Sequence, residues 1–356
     1  MPARREMELF FCADTHLGFD QPVRPRILRR RRGPDFFANF RRFLADAVAA
    51  QADLVVHGGD FFFRSRVPKA IVDTAYEILL EFAGHGIPIY IVPGNHECSV
   101  LPTSLFVSHP NIRIFAEPTT FVQQVDGATV LLAGFPFHRR TIRCDFTRVL
   151  ARTGWQAHDA DVRLLCCHQT VAGATVGPSD YTFRRGDDVV RIEELPADFD
   201  AILAGHIHRR QILRRSSMKT PGATPATTGP PVLYPGSIER TSFAEKDEDK
   251  GYFRLRWRRT AAGRWQMQAP RFVSLPARPM VDLVLEARLT TANLARYIRS
   301  RIDQIDQGAI VRFRCADGLP PPVRGRLTGE FLRELLPDTM NYQFDSRFFR
   351  DRKGDS

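Results

Sequence analysis

The chain has 356 residues, of which 43% are hydrophobic, so it can form one large domain and a small one with packed cores. No run of about 18 apolar residues occurs, and the N-terminal residues lack the apolar stretch of a secretory signal, so we expect neither a membrane span nor secretion. The net charge of +11 favours a polyanionic partner such as nucleic acid, although genome composition can also enrich arginine. The six cysteines show no CxxC pattern and are typical of reduced thiols in a cytosolic protein.

Short β-rich runs alternate with helical patterns along the first two thirds of the chain, which predicts a layered α/β core. Apolar runs predict strands over 7–13, 52–58, 87–92, 128–134, 162–167 and 200–204. Apolar residues at helical spacing predict two helices, over 35–50 with Asp35 as N-cap and over 68–84 with Pro68 near the start. From 210 to 275 the pattern is mostly β, with a flexible loop predicted over 216–231 because it is rich in Ser, Thr, Gly and Pro.

A second, smaller unit is predicted beyond a boundary near 276–280. Its pattern is strand, helix, strand, helix, over 281–287, 294–305, 309–315 and 324–336. We therefore predict a large domain over 1–276, a small cap domain over 280–338 and a short polar and aromatic tail over 339–356.

Five segments place metal-ligand side chains directly after a predicted strand, where ligand sites of α/β sheets gather. They contribute Asp14 and His16; Asp60; Asn95, His96 and Glu97; His168; and His206 and His208. Residues two apart on extended backbone point the same way, so the Asp14–His16 and His206–His208 pairs can each face one ion cluster.

A pair of metal ions explains this set of residues. The carboxylate of Asp60 can bridge two cations, and two ions about 3.5–4 Å apart can bind a phosphate and activate a water. Mixed imidazole, carboxylate and amide ligands suit Mn²⁺, Fe²⁺ or Zn²⁺ better than Mg²⁺, and Mn²⁺ is the expected ion.

The order Asp-x-His, Gly-Asp, Gly-Asn-His-Glu, His, Gly-His-x-His resembles the calcineurin-like metallophosphoesterase superfamily over about 8–275. The resemblance implies a four-layer α/β/β/α sandwich with a small C-terminal α+β cap. It implies one ion held by Asp14, His16, Asp60 and His208, and a second held by Asp60, Asn95, His168 and His206. His96 would steady the phosphoryl transition state or protonate the leaving oxygen, while a metal-activated water attacks phosphorus in line.

Two nearby side chains need separate interpretation. The family often has Asp where this chain has Glu97, which we expect still to orient an imidazole. His57 lies on the strand before the turn, so a structural role is predicted for it.

A segment after the last histidines points to DNA as substrate. Residues 234–253 resemble the corresponding segment of SbcD-type nucleases, with the match carried by Tyr234, Pro235, Gly236, Ser237, Glu239, Arg240 and Phe243. Residues 24–32 contain six arginines, which suit phosphate contacts or form a solvated charge run. The candidate DNA-binding residues are Arg29, Arg30, Arg31, Arg32 and Arg240.

Three functions are therefore open. The first is a manganese-dependent DNA exonuclease and endonuclease of double-strand-break repair, acting in the cytoplasm at the nucleoid. The second is a small-molecule or cyclic-nucleotide phosphodiesterase or phosphatase, and the third is a DNA-binding scaffold with a vestigial site. The resemblance also implies a homodimer and a coiled-coil ATPase partner of the SbcC type, for which residues 339–356 are short as a docking segment.

Overall fold

The computed structural model describes residues 6–20, 30–97, 101, 109–125, 127–217 and 226–345. The chain divides into two compact units. Unit 1 comprises Met1–Phe19 and Gly33–Ala277, and unit 2 comprises Asp20–Arg32 and Arg278–Ser356. The division after Ala277 lies in the region where the sequence predicts a boundary, but no sequence pattern predicts that Asp20–Arg32 belongs to the second unit. Within the described part of the chain, no helix is both long and apolar enough to cross a bilayer.

Unit 1 contains three α-helices and seventeen strands among its described residues. The helices are α1 (Gly33–Ala49), α2 (Lys69–Ala83) and α3 (Ile142–Ala151). The first nine strands are β1 (Glu6–Cys12), β2 (Leu54–His57), β3 (Ile89–Ile91), β4 (Ile112–Ile114), β5 (Thr119–Val125), β6 (Ala128–Gly134), β7 (Val162–Cys167), β8 (Thr170–Val171) and β9 (Thr175–Val176). The other eight are β10 (Tyr181–Thr182), β11 (Val189–Val190), β12 (Ala201–Ala204), β13 (Gln211–Ser217), β14 (Ala226–Tyr234), β15 (Gly251–Arg259), β16 (Trp265–Met267) and β17 (Arg271–Ser274).

Two mixed sheets form the frame of unit 1. The seven-stranded sheet has the order β16-β15-β1-β2-β3-β4, and β17 also pairs with β15. The six-stranded sheet has the order β13-β14-β12-β7-β6-β5. Strands β1 to β4 of the first sheet are parallel to one another, and so are β6, β7, β12 and β14 of the second. Parallel pairing places the carboxyl ends of these strands at one edge of each sheet, where ligand sites form.

Alternation along β1 shows how the sheets are covered on both faces. Phe10 packs in a cluster with Phe40 of α1 and Leu79 of α2. Its neighbour Phe11 points to the opposite face and packs in a second cluster that includes Leu203 of the other sheet. Successive side chains of a strand point to opposite faces, so an apolar run such as this one is buried on both.

A third cluster covers the remaining face of the six-stranded sheet. It joins Leu165 of β7 and Ile202 of β12 to Phe146 and Leu150 of α3. The predicted α/β class is therefore confirmed. The order helix, sheet, sheet, helix remains our interpretation of the three clusters.

The helices and loops of unit 1 differ from their predicted bounds in detail. Helix α1 begins at Gly33, so Asp35 lies in its first turn and is not the N-cap. Pro68 is the N-cap residue of α2 and directly precedes its first residue, Lys69, in agreement with the prediction that it lies near the helix start. The loop predicted over 216–231 is shorter, because strands β13 and β14 pair across it as far as Ser217 and Ala226.

Unit 2 has a parallel sheet of order β18-β19-β20, formed by β18 (Met280–Leu285), β19 (Ile310–Cys315) and β20 (Asn341–Phe344). Its helices are α4 (Leu294–Ile302), α5 (Pro321–Arg326) and α6 (Gly329–Leu335). The single helix predicted over 324–336 is thus wrong. A new helix begins after Thr328, whose side chain accepts a hydrogen bond from Phe331 N at 3.2 Å.

The tail predicted over 339–356 also needs correction. Residues Asn341–Phe344 form β20 and pair with β19, so they belong to the sheet of unit 2. Phe344 packs against the hydrophobic core of unit 2 and contacts the ring of Phe313 of β19 there. Aromatic residues near the end of the chain therefore complete a core instead of forming a separate tail. Residues 346–356 lie outside the described part.

Candidate metal centre

The predicted ligand segments follow the carboxyl ends of five parallel strands. Asp14 and His16 follow β1, Asp60 follows β2, Asn95 and His96 follow β3, His168 follows β7, and His206 and His208 follow β12. The first three strands belong to one sheet and the last two to the other. The centre therefore depends on how the two sheets of unit 1 bring their loops together.

Backbone hydrogen bonds join the loops after β1 and β2. Asp14 N donates to Gly59 O at 2.9 Å, and His16 N donates to Asp60 O at 3.0 Å. The backbone is left-handed at Asp14 (φ 52°), His16 (φ 44°), Asp60 (φ 51°) and His206 (φ 87°). Such conformations are unfavourable for residues other than glycine, and strain of this kind gathers at functional sites.

Three glycines allow the loops to approach closely. A Cβ atom added at Gly205 would lie 2.2 Å from Gly58 O, and one at Gly94 would lie 2.2 Å from Asp60 Oδ1. At Gly59 an added Cβ would lie 2.2 Å from His168 Nδ1. No side chain fits at these distances, so the close approach requires glycine at each position.

One group of ligand atoms lies around Asp14. The Nε2 atoms of His16 and His208 are 2.9 Å apart, and His208 Nε2 is 3.7 Å from Asp14 Oδ1. Two nitrogen lone pairs at this distance repel each other unless a proton or a cation lies between them. These three residues form one of the groups whose ligand atoms lie within 4.8 Å of one another.

A second group lies around Asp60. Its Oδ2 atom is 3.4 Å from His168 Nε2 and 4.0 Å from His16 Nε2. Asn95 Oδ1 is 3.0 Å from His168 Nε2 and 2.8 Å from His206 Nδ1. Asp60 Oδ2 therefore lies near an imidazole of each group.

His96 lies beside Asp60 and is partly open to solvent. Its side chain is 33% exposed, and its Nε2 is 3.7 Å from Asp60 Oδ2. His96 N donates to Asp60 Oδ1 at 2.9 Å, and Nδ1 is 2.5 Å from Phe63 O. The ring is thus held at Nδ1, and Nε2 faces the carboxylate that the two groups share.

The outer ring nitrogens of two histidines have partners that orient them. His168 Nδ1 is 2.8 Å from Gly58 O, and His208 Nδ1 is 3.1 Å from Glu245 Oε1. A ring that donates from Nδ1 presents the lone pair of Nε2, which is the arrangement of metal-binding histidines. The donor set and its orientation therefore fit divalent metal ions.

The charges of the centre are unevenly distributed in the metal-free protein. Burial raises the pKa of Asp14 to about 6, against the opposing charges of His208 and His168. Burial would also raise the pKa of Asp60, but the charge of His168 holds it well below the usual range. For His168 burial lowers the pKa, yet the charge of Asp60 raises it to about 9. Burial lowers the pKa of His206 to about 3.

Within the described part of the chain, the Glu97 carboxylate hydrogen-bonds to backbone amides and to no imidazole, contrary to the prediction. Its Oε1 accepts from Phe62 N at 2.5 Å and its Oε2 from Gly94 N at 2.8 Å. Burial raises its pKa to about 8, with the charge of Asp60 contributing. Glu97 thus ties the loop after β2 to the loop after β3.

His57 has the structural role that its position predicts. Its Nε2 is 2.9 Å from Thr15 Oγ1, and its Nδ1 accepts from Gly59 N at 3.2 Å. Thr15 lies in the loop after β1 and Gly59 in the loop after β2, so His57 links the two loops that carry Asp14, His16 and Asp60.

Glu245 is a site residue that sequence reasoning missed. It is nearly buried and contacts His208 across 37 positions of the chain. Burial would raise its pKa, but the hydrogen bond of His208 and the charge of Lys250 hold it well below its usual range. The only signal in the sequence was its place within the matched segment 234–253.

The candidate DNA-binding arginines divide into four cases. Arg240 donates to Glu248 O at 2.9 Å and to Glu245 O at 3.2 Å, so its guanidinium holds the segment next to the centre, and its role in DNA binding stays a prediction. Arg31 binds the Asp20 carboxylate at 2.8 Å within unit 2. Arg30 and Arg32 also belong to unit 2, and their role in DNA binding stays a prediction. Arg29 lies outside the described residues.

Imidazoles, carboxylates and an amide at the carboxyl ends of parallel strands are typical of metal-dependent hydrolases. Residues 7–210 match the model of the calcineurin-like phosphoesterases. Since this match covers more than half of the chain, the chain belongs to the calcineurin-like phosphoesterase family.

Three curated relatives each carry the name DNA double-strand break repair protein Mre11. The protein of Methanopyrus kandleri is 23% identical over 261 residues, covering 70% of this chain and 52% of the relative. That of Methanocaldococcus jannaschii is 25% identical over 256 residues, covering 69% and 62%. That of Archaeoglobus fulgidus is 26% identical over 254 residues, covering 67% and 52%. This chain thus spans 52% to 62% of the length of these relatives.

Substitution of Gly205 tests the close approach of the loops. We expect Gly205→Ala to reduce the free energy of unfolding by about 1–3 kcal/mol or more, because overpacking forces the backbone apart. Metal binding should weaken as His206 and His208 move with the loop. Chemical denaturation and calorimetric titration with Mn²⁺ measure both effects. Gly325→Ala is the matched control, since its added Cβ meets no atom within 4 Å. Wild-type stability of Gly205→Ala would contradict the geometry.

The pH dependence of metal binding follows from His168. With a pKa of about 9, its ring carries a proton at neutral pH, and a metal ion must displace that proton. We expect the affinity for Mn²⁺ to rise by up to ~10-fold per pH unit between about pH 6 and 8, because proton competition falls as pH rises. Calorimetry in buffers of different ionisation enthalpy counts the protons released. Affinity independent of pH, with no proton release, would refute the protonated state of His168.

Proposed function

We propose that this chain hydrolyses phosphodiester bonds of DNA with two divalent metal ions, as an SbcD-type nuclease of double-strand-break repair. The observation that carries the proposal is the meeting of ligands from both sheets of unit 1 around Asp60. The names of the three relatives support DNA as the substrate and double-strand-break repair as the process.

The proposed centre has two overlapping metal positions. The first metal position comprises Asp14, His16, Asp60 and His208, and the second comprises Asp60, Asn95, His168 and His206. Two divalent ions supply a Lewis acid for the phosphate and an activated water for hydrolysis. Nitrogen and oxygen donors together favour Mn²⁺, with Fe²⁺, Zn²⁺ or Mg²⁺ as alternatives.

The residues of the chain orient the reacting groups. The amide N–H of His96 holds one oxygen of Asp60 at 2.9 Å, which leaves Oδ2 turned toward His168 and His16. Phe63 O holds His96 at Nδ1, so a protonated imidazole carries its second proton on Nε2. This proton can pass to the leaving oxygen, and the imidazolium charge stabilises the phosphoryl transition state.

Several features of the chain support a nucleic acid over a small ester. The net charge of +11 favours a polyanion, and Arg30, Arg31 and Arg32 lie together in unit 2. Contacts to the phosphate backbone carry no base information, so we expect little sequence preference on ends, hairpins or single strands. The second candidate, a small-molecule or cyclic-nucleotide phosphodiesterase, uses the same metal positions.

The partners of this activity are also part of the proposal. We propose a homodimer and an SbcC-type coiled-coil ATPase as partner, at the nucleoid in the cytoplasm. The support for these assignments is the likeness of segment 234–253 to SbcD-type nucleases.

Removal of His96 tests its catalytic role. We expect His96→Ala to reduce the rate of DNA cleavage by about 100-fold or more, as loss of a general acid does, while two Mn²⁺ ions still bind. Digestion of labelled linear duplex, hairpin and single-stranded DNA measures the rate, and metal analysis measures occupancy. His85→Ala is the control, because His85 is exposed outside the centre. Cleavage at the wild-type rate by His96→Ala would refute the assignment.

A comparison of substrates separates the two candidate functions. A nuclease should cleave DNA faster than bis-p-nitrophenyl phosphate at equal phosphodiester concentration. Replacing Arg29, Arg30, Arg31 and Arg32 by Ala should slow DNA cleavage and make it less dependent on salt, because fewer counterions are released on binding. Hydrolysis of the small ester should not change. Faster turnover of small esters, with no effect of the arginines on DNA, would favour the second candidate.

A further inference from the structure

A buried lysine lies behind the first metal position. The side chain of Lys250 is 0% exposed, and its ammonium has three partners. It donates to His208 O at 2.9 Å, to Glu245 Oε2 at 2.6 Å and to Glu248 Oε2 at 3.1 Å. An ammonium has three N–H donors, so each is used within this network. Burial of a lysine requires such compensation, and here two carboxylates provide it.

Glu245 connects this lysine to a proposed metal ligand. Its Oε1 is 3.1 Å from His208 Nδ1 and accepts from Thr241 Oγ1 at 2.5 Å. Its Oε2 faces Lys250. The two members of this buried ion pair therefore both hold His208. Lys250 hydrogen-bonds to its backbone carbonyl, and Glu245 hydrogen-bonds to its ring.

Among the described residues, no carboxylate pairs with Nδ1 of His16, His96 or His168. Nδ1 of His168 and Nδ1 of His96 face backbone carbonyls, those of Gly58 and Phe63. His16 Nδ1 has no hydrogen-bond partner among the residues described. A carboxylate on the outer nitrogen increases the basicity of a metal-binding imidazole more than a carbonyl does, since it carries a full negative charge. The two metal positions therefore differ in the residues behind them.

We propose that Glu245, held by Lys250, is a positioning residue that strengthens the first metal position through His208, so that the two positions bind metal with different affinities. Glu245 fixes the ring with Nε2 directed at Asp14 and His16, where the distances are 3.7 and 2.9 Å. Lys250 keeps the carboxylate oriented and its charge compensated. The inference rests on the metal centre of the proposed function and is independent of its substrate.

Titration of the 356-residue chain with Mn²⁺, followed by calorimetry, tests the proposal. Wild type should bind two ions with distinct affinities. In Glu245→Gln one of the two affinities should fall by about 10–100-fold, as substitution of a residue behind a metal ligand does, and the other should stay. Glu194→Gln is the matched control, because it removes a carboxylate from the Arg191 ion pair elsewhere in unit 1 and should leave both affinities unchanged.

A second substitution identifies which position responds. Asn95→Ala removes a ligand of the second metal position only, so the remaining site reports the first. Adding Glu245→Gln to Asn95→Ala should weaken that remaining site by the same factor. If the remaining site keeps its affinity, or if Glu245→Gln weakens both positions equally in the otherwise native chain, the proposal is overturned.

A double-mutant cycle tests whether Lys250 acts through Glu245. Lys250→Met should weaken the first position in the native background and have little further effect in Glu245→Gln. A purely structural role would lower the unfolding temperature of the metal-free protein and leave the ratio of the two affinities at its wild-type value, which would overturn the proposal. Failure of wild type to bind two ions would instead refute the proposed function.

Discussion

The structure of the centre depends on how closely three loops can approach one another. Gly58 O and Gly205 Cα are so near that an added Cβ would lie at 2.2 Å, and Gly94 is as close to the carboxylate of Asp60. This approach places the loop after β12 of one sheet against the loop after β2 of the other. Without it the imidazoles of β7 and β12 would not reach Asp60. The residues at the strand ends would then be separate polar groups and not a shared centre.

The close approach of the loops also brings buried negative charges near one another. Asp14 and Asp60 are both buried, and like charges buried together are unfavourable. The surrounding imidazoles offset this repulsion. The charge of His168 lowers the pKa of Asp60, and the charge of Asp60 in turn raises the pKa of His168. A bound divalent metal ion would replace the proton of His168 with greater charge. The centre is therefore arranged for cations, and the strained backbone at Asp14, His16 and Asp60 is stabilised by hydrogen bonds between the loops.

The residues that hydrogen-bond to the outer nitrogens of His168 and His208 differ between the two metal positions. Gly58 O orients His168 with a neutral carbonyl, whereas Glu245 orients His208 with a carboxylate that is paired to a buried lysine. The segment that carries Glu245 and Lys250 also contains Arg240, whose guanidinium holds it through backbone carbonyls. A stretch that resembles nucleases in sequence thus supports the metal centre from behind, which gives a physical reason for its residues beyond contact with a substrate.

The sequence by itself determined the α/β class and six strands of unit 1, including the five whose ends carry the ligand motifs, because apolar periodicity and these motifs are local signals. It did not locate Glu245, whose partner His208 lies 37 residues away in the chain. It also did not predict that Asp20–Arg32 belongs to unit 2. It assigned Asn341–Phe344 to a tail, although pairing with β19 makes them a strand. Hydrogen bonds and packing between distant segments decided these features, and no local pattern of residues records such contacts.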